Sequence, residues 1–342
     1  MRRLLVLMLT IFAVLTPQPV LAGQPAVGVV TNFGPNLAAV CPQPEGIAID
    51  PTGNLYAASF AFKPVANICV ENRSGQLVDV IPVPAGKAGV TSLLGELFEP
   101  SQGLYVVDFA NGAPTNGRLL RINVQTHAVT VLATGFQAPN AIAQDRHRNL
   151  FVSDSFLGAI FKVAPDGSSN RVWIQDPRLL PQPGGSPPFG ANGVAFDRDQ
   201  RFLYVATTSD SKIYRIPVQK DGSAGAMQLF ASGAAIDASQ HTTEALHGAD
   251  GIMFDVRGNL YVCANSAQHP APGLPGELQV LSPDAQLVAR YDGVGSNDLD
   301  FPASLVFHER ALYLTNLSLD TGGANSKLSV VGVPFPGLPL RP

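Results

Sequence analysis

Four oxygen-bearing side chains stand at the same place in four copies of one phrase. Glu45 opens Glu45-Gly-Ile-Ala-Ile-Asp50, and Asn140 opens Asn140-Ala-Ile-Ala-Gln-Asp145. Asn192 opens Asn192-Gly-Val-Ala-Phe-Asp197, and Asp250 opens Asp250-Gly-Ile-Met-Phe-Asp255. Two carboxylates and two carboxamides brought to one point suit a hard divalent cation, Ca²⁺ above all. Without a cation the carboxylates would repel, and one of them would hold its proton more tightly. An acid or amide before glycine is also ordinary turn chemistry, so both readings stand. His247, three residues before Asp250, could shuttle a proton, and His269 follows in a nearby loop; a plain loop histidine is the competing reading of each. No Gly-x-Ser-x-Gly phrase occurs, so a serine-hydrolase elbow has no support.

These residues can meet only if the chain repeats. Each phrase is a short apolar strand, a turn rich in Asp, Gly and Asn, then a second apolar strand such as Leu203-Tyr-Val-Ala or Leu260-Tyr-Val-Cys. A weaker copy runs from Ala303 through Leu305-Val-Phe to Leu312-Tyr-Leu-Thr. Another is anchored by Gly103-Leu-Tyr-Val-Val, with its start near Leu94. Starts at 45, about 94, 140, 192, 250 and 303 are steps of about fifty residues. Further strands follow in each step, for example Lys212-Ile-Tyr-Arg-Ile-Pro-Val. Four strands per repeat, six times over, describe an all-β fold, a six-bladed β-propeller forming a single domain over residues 23–342. With the first strand of each blade innermost, Glu45, Leu94, Asn140, Asn192, Asp250 and Ala303 form a ring at the channel mouth. Either Val27–Phe33 or Leu328–Val333 could complete the last blade.

The turns between first and second strands are short, as at 51–54, 146–149 and 256–259. The long stretches, at 60–67, 109–117, 176–191, 234–249 and 265–276, all fall on the face that carries the ring. Loops elaborated on one face of a rigid scaffold are where binding resides. Their residues suit a neutral or weakly polar small molecule, with Phe60, Phe62, Phe109, Phe189 and Leu274 as candidate walls. The composition agrees with a turn-rich β protein: 33 Gly and 29 Pro in 342 residues, 46% hydrophobic and 14% charged. That much apolar surface excludes disorder, and so much Gly and Pro excludes a helical bundle. A net charge of −4 argues against nucleic acid or an anionic membrane as partner.

Residues 1–22 read as a secretory signal peptide. Arg2 and Arg3 precede the apolar run Leu4–Leu15, Pro17 breaks it, and Val20-Leu21-Ala22 offers a cleavage site. An exported chain, periplasmic or extracellular, meets oxidising conditions, where Cys41 and Cys69 are the plausible disulfide pair. Cys263 reads as a buried thiol.

The phrases resemble those of the senescence marker protein/gluconolactonase family, which includes regucalcin and is related in architecture to diisopropyl fluorophosphatase and paraoxonase. Ala191-Asn192-Gly193-Val194-Ala195-Phe196-Asp197 and Ala249-Asp250-Gly251-Ile252 carry the resemblance most sharply, with weaker support from Pro44-Glu45-Gly46 and the Phe335-Pro-Gly-Leu-Pro tail. The resemblance implies one divalent metal, usually Ca²⁺, held by Glu45, Asn140, Asn192 and Asp250. It also implies hydrolysis of a lactone or ester, with Asp250 as catalytic base or nucleophile. The family often follows its first Glu-Gly with Pro and a nearby Trp; here Ile47-Ala48 follow, and the sole tryptophan is Trp173. The phrase around Glu45 also resembles NHL-type propellers, which bind a protein or small ligand and need no metal. A propeller enzyme without an essential metal, of the strictosidine-synthase kind, is a third reading.

Overall fold

A computed structural model describes residues 25–267, 276–293 and 299–339. Its strands form six sheets of four antiparallel strands each. Five blades are continuous in sequence, with inner strands Pro44–Ile49, Leu93–Glu99, Pro139–Gln144, Ala191–Phe196 and Ala249–Phe254. The sixth joins both ends of the described chain. Pro302–His308, Ala311–Asn316 and Lys327–Gly332 supply three strands, and Val30–Phe33 adds the fourth, pairing Val30 with Val331 and Phe33 with Leu328. The two segments expected as alternatives therefore act together, and their pairing closes the ring.

The strands carry unbroken apolar runs because both faces of a blade are covered. Leu203, Tyr204, Val205 and Ala206 are all buried, on whichever face they point. The core is correspondingly divided. One apolar cluster lies between each successive pair of blades, as where Val107, Phe136, Val152 and Phe161 meet between the second and third. Another joins the sixth blade to the first through Val306, Leu328, Ile47 and Ala57.

The aspartate that closes the repeated phrase shapes a hairpin. Asp50 Oδ1 accepts from the N–H groups of Thr52 and Asn54 at 2.8 and 3.0 Å, while Asn54 Nδ2 donates to its Oδ2. Asp145 and Asp255 do the same with His147 and Asn149, and with Arg257 and Asn259. These aspartates are committed to turns at the far end of the inner strands, leaving the first residue of the phrase for the channel.

The stretch 234–249 is not wholly irregular: a helix, Gly233–Gln240, occupies its first half. Cys41 and Cys69 are joined by a disulfide, and Cys263 is a buried thiol. Among the described residues no helix is long and apolar enough to cross a membrane. Residues 1–22, His269 and Leu274 lie outside the described residues.

Candidate functional site

The ring residues sit inside strands, at one recurring irregularity. In all six inner strands the pairing slips by one residue around the ring position, between Pro44 and Ile47 in the first blade and between Ala249 and Ile252 in the fifth. A β-bulge of this kind re-aims a side chain out of the pleat. The slot after each ring residue is small: Gly46, Gly95, Ala141, Gly193, Gly251 and Ser304. The reason is close approach of the next blade. A Cβ on Gly251 would stand 2.7 Å from the carbonyl oxygen of Ala303, and one on Gly193 would collide with that of Asp250. The glycines are there so that neighbouring inner strands can meet, which a turn would not require.

Glu45, Asn140, Asn192 and Asp250 all line one cavity of about 40 Å³ at the mouth of the channel, and each is buried. What holds them comes from one further slot, the first residue after each second strand. Asn140 Nδ2 donates to Ser155 Oγ at 3.4 Å, Asn192 Nδ2 to Thr208 Oγ1 at 2.9 Å, and Asn265 Nδ2 to Asp250 Oδ2 at 2.8 Å. Ser155 and Thr208 pass the link on to the carbonyls of Ala191 and Ala249 at 2.6 and 2.9 Å, tying each blade to the next. With their amide nitrogens engaged in the wall, Asn140 and Asn192 have a carbonyl oxygen as the end to offer a cation. Blades two and six carry apolar pairs at these two slots, Leu94 with Phe109 and Ala303 with Leu317.

The first blade breaks the rule. Glu45 is polar, its partner slot is Phe60, and Glu45 Oε2 is buried with no hydrogen-bond partner. Burial, then the charge of Asp250, then that of Glu96 push the Glu45 carboxyl well above its usual range. Burial also lifts Asp250 to about 8, although Asn265, Asn192 and the Gly251 N–H stabilise its charged form. Two buried carboxylates beside one another either take up protons or share a cation. The donor set, two carboxylates and two carboxamide oxygens with one carboxylate oxygen orphaned, therefore fits a hard divalent ion. Among the described residues no three His, Cys, Asp or Glu side chains gather at one point, so amide oxygens must supply part of any such shell.

Sequence reasoning missed Ser155, Thr208 and Asn265, although their common register, polar in the third, fourth and fifth blades, is legible in the repeats. It also missed Glu96. In the slot two after the ring, five blades place Ile47, Ile142, Val194, Ile252 and Leu305, while the second places Glu96. Both Glu96 oxygens are buried without a partner, and burial raises its carboxyl well above the usual range. These residues line the opposite, wider end of the channel, a space of about 700 Å³. The C-terminal segment is pinned beside that end: Val256 N–H donates to Pro336 O and Leu338 N–H to Phe254 O, both at 2.9 Å. The wall of that space mixes aliphatic side chains with polar ones spread along it, Glu99, Arg198 and His308 among them, and its Asp50 and Asp197 are taken up by turns. The narrow end, where four oxygen-bearing side chains of one register converge, is the candidate site.

Among the described residues the rim of the narrow end is apolar. Of the walls expected from sequence, Phe60 and Phe189 line the cavity, joined by Pro187, Phe301, Leu317 and Leu319. Phe62 and Phe109 pack on Phe60 with ring centroids 4.7 and 5.7 Å away. His247 is not among the cavity-lining residues; its Nδ1 faces Glu244 Oε2 at 2.6 Å.

Residues 189–317 match the family model of the SMP-30/gluconolactonase/LRE-like region. That segment holds Asn192 and Asp250, and it bears out the resemblance read from the sequence. Solved structures share the fold over nearly the whole chain. A gluconolactonase from Xanthomonas campestris is 16% identical with a TM-score of 0.60, covering 91% of this chain and 95% of that one. A calcium-binding protein, regucalcin, from Agrobacterium tumefaciens is 14% identical with a TM-score of 0.58, covering 92% and 94%. A luciferin-regenerating enzyme is 14% identical with a TM-score of 0.62, covering 90% and 97%. At such identities the likeness is one of fold. No curated protein matches the chain in sequence.

Proposed function

We propose that this protein is an exported hydrolase of a lactone or ester that depends on a divalent metal ion, Ca²⁺ being the best fit. The observation that carries the reading is the orphaned Glu45 Oε2, buried on the wall of the same cavity as Asp250, Asn140 and Asn192. Leaving a buried carboxylate oxygen unpaired is costly, and an ion held by these four side chains removes the cost. The regucalcin neighbour is described as calcium-binding and another neighbour as a gluconolactonase, which supports both halves of the proposal.

When bound, the ion would polarise the acyl carbonyl and stabilise the charge that develops on its oxygen. The remaining work belongs to the chain. Asp250, held at Oδ2 by Asn265, takes a proton from a water as that water's oxygen bonds to the acyl carbon. The acyl carbon–oxygen bond then breaks, and the departing oxygen takes up the proton, giving a hydroxy acid from a lactone or an acid and alcohol from an ester. Asn140 and Asn192, fixed by Ser155 and Thr208, keep their carbonyl oxygens in place without rearrangement, the preorganisation such a site needs.

Export rests on residues 1–22 and is consistent with the Cys41–Cys69 disulfide, which persists in oxidising compartments. The purified mature protein should carry about one Ca²⁺ per chain and melt lower in chelator. Asn192→Ala should lose both the ion and turnover of a panel of lactones and esters; an active, metal-free Asn192→Ala variant overturns the proposal. Full metal occupancy with no turnover across the panel would favour the second reading, a binding propeller without catalysis.

A further inference from the structure

We infer that the substrate of this site is an uncharged lactone or ester bearing an aryl or alkyl arm, and that the arm lies on a phenylalanine platform at the channel mouth rather than in the cavity. The inference rests on the hydrolase reading above and adds its specificity. The cavity of about 40 Å³ has room for only about three water-sized spheres. An ion and the reacting carboxyl group fill it, so the rest of any organic substrate must lie outside, on the rim.

One side of the rim is a connected aromatic cluster. Phe60 and Phe189 line the cavity, Phe109 contacts both with centroids 5.7 and 6.2 Å away, and Phe156 stacks on Phe189 at 5.6 Å with planes 23° apart. Phe62 extends the cluster outward, 4.7 Å from Phe60 and 6.0 Å from Phe109, and remains 48% exposed. Its backbone is left-handed, with φ of 44°, and its N–H donates to Ser92 Oγ at 2.9 Å. That conformation is uncommon for an aromatic residue and persists only where the surroundings over-determine it. Here it lays an exposed ring against the cluster.

Among the described residues the polar inventory of the cavity disfavours a sugar. No Arg, Lys or His lines the cavity among the described residues. Beyond the four ring residues, its polar groups are Thr208 and Asn265, both already engaged with Asn192 and Asp250. The hydroxyls of an aldonolactone would be desolvated against the phenylalanine platform, which offers them no hydrogen bond, whereas each methylene of an alkyl arm gains by leaving water.

The test is kcat/KM of the calcium-loaded protein on γ-butyrolactone, γ-hexalactone, γ-octalactone, γ-decalactone and glucono-δ-lactone. Alkyl lactones should gain up to about fourfold per methylene, with glucono-δ-lactone the poorest. Phe62→Asn, which tolerates the left-handed backbone, and Leu319→Ser, on the rim of the neighbouring sixth blade, should each flatten the chain-length slope. Their melting temperatures check that they fold. A flat series, or glucono-δ-lactone outperforming γ-decalactone, overturns the inference. If no lactone or ester is hydrolysed, the hydrolase reading fails and binding decides. In that case affinity for the corresponding γ-alkyl lactams that tightens with chain length, and loses that trend in Phe62→Asn, upholds the platform. Affinity that is absent or independent of chain length sinks it.

Discussion

Asn265 donates its Nδ2 to Asp250 Oδ2 at 2.8 Å, from the same slot that gives Asn192 its Thr208 and Asn140 its Ser155. Removing this donor leaves the Asp250 carboxylate less stabilised in its charged form, so its proton affinity rises further. Asn265→Ala should weaken Ca²⁺ binding by about 10- to 100-fold, the usual cost of losing an orienting partner behind a ligand. The acid limb of the pH–activity profile should move upward. Calcium titration and a pH profile check both; an unmoved profile would mean that Asn265 does not set the state of Asp250.

Gly193 lets the Asp250 backbone come close, and a methyl group there has nowhere to go. Gly193→Ala should destabilise the protein by about 1 to 3 kcal/mol, the range for overpacking a close contact, read from urea unfolding. The same change at Gly89, where a Cβ would meet nothing within 4 Å but φ is 72°, separates steric crowding from backbone strain.

In the metal-free protein stability should fall as pH rises between about 4 and about 8. Asp250 and Glu71 are both pushed by burial to about 8, far above an unfolded carboxylate near 4. Across that window the native state binds more protons than the unfolded chain, so stability is full below the lower value and is lost through the upper one. Saturating Ca²⁺ should remove the part due to the ring. The part due to Glu71, whose two oxygens are buried without partners, should survive calcium and disappear in Glu71→Gln. Thermal melts at a series of pH values, with and without calcium, resolve the two.

Glu96 occupies a slot that five other blades fill with aliphatic residues. Glu96→Leu removes two unpaired buried oxygens and should stabilise the metal-free protein by about 1 to 3 kcal/mol. It also removes one of the charges that raise Glu45, so Glu45 should ionise more readily and bind calcium at lower pH. A destabilised Glu96→Leu variant would show that the acid has a partner in solution.

Fold and ring were legible because the chain says the same thing six times. Repeats superpose in register, so residues at one repeat position must share a height on the channel wall, and Glu45, Asn140, Asn192 and Asp250 follow from alignment of the chain with itself. The turn aspartates, such as Asp50 and Asp255, follow from the same phrase. The long loops announced the ring face by their length.

Only the folded ring decided the rest, because it concerns contacts between segments that no period relates. Val30–Phe33 and Lys327–Gly332 become partners through closure, which a linear pattern leaves as alternatives. The orphan oxygen of Glu45 depends on Phe60 filling the slot where a polar partner stands in blades three to five. The phenylalanine platform joins residues 60, 62, 109 and 156 from loops of the first three blades with residue 189 from the connection into the fourth, and its limit is a cavity volume that residue types alone do not set. Strand periodicity is local physics, written in consecutive side chains; the space left between loops is the sum of distant packing.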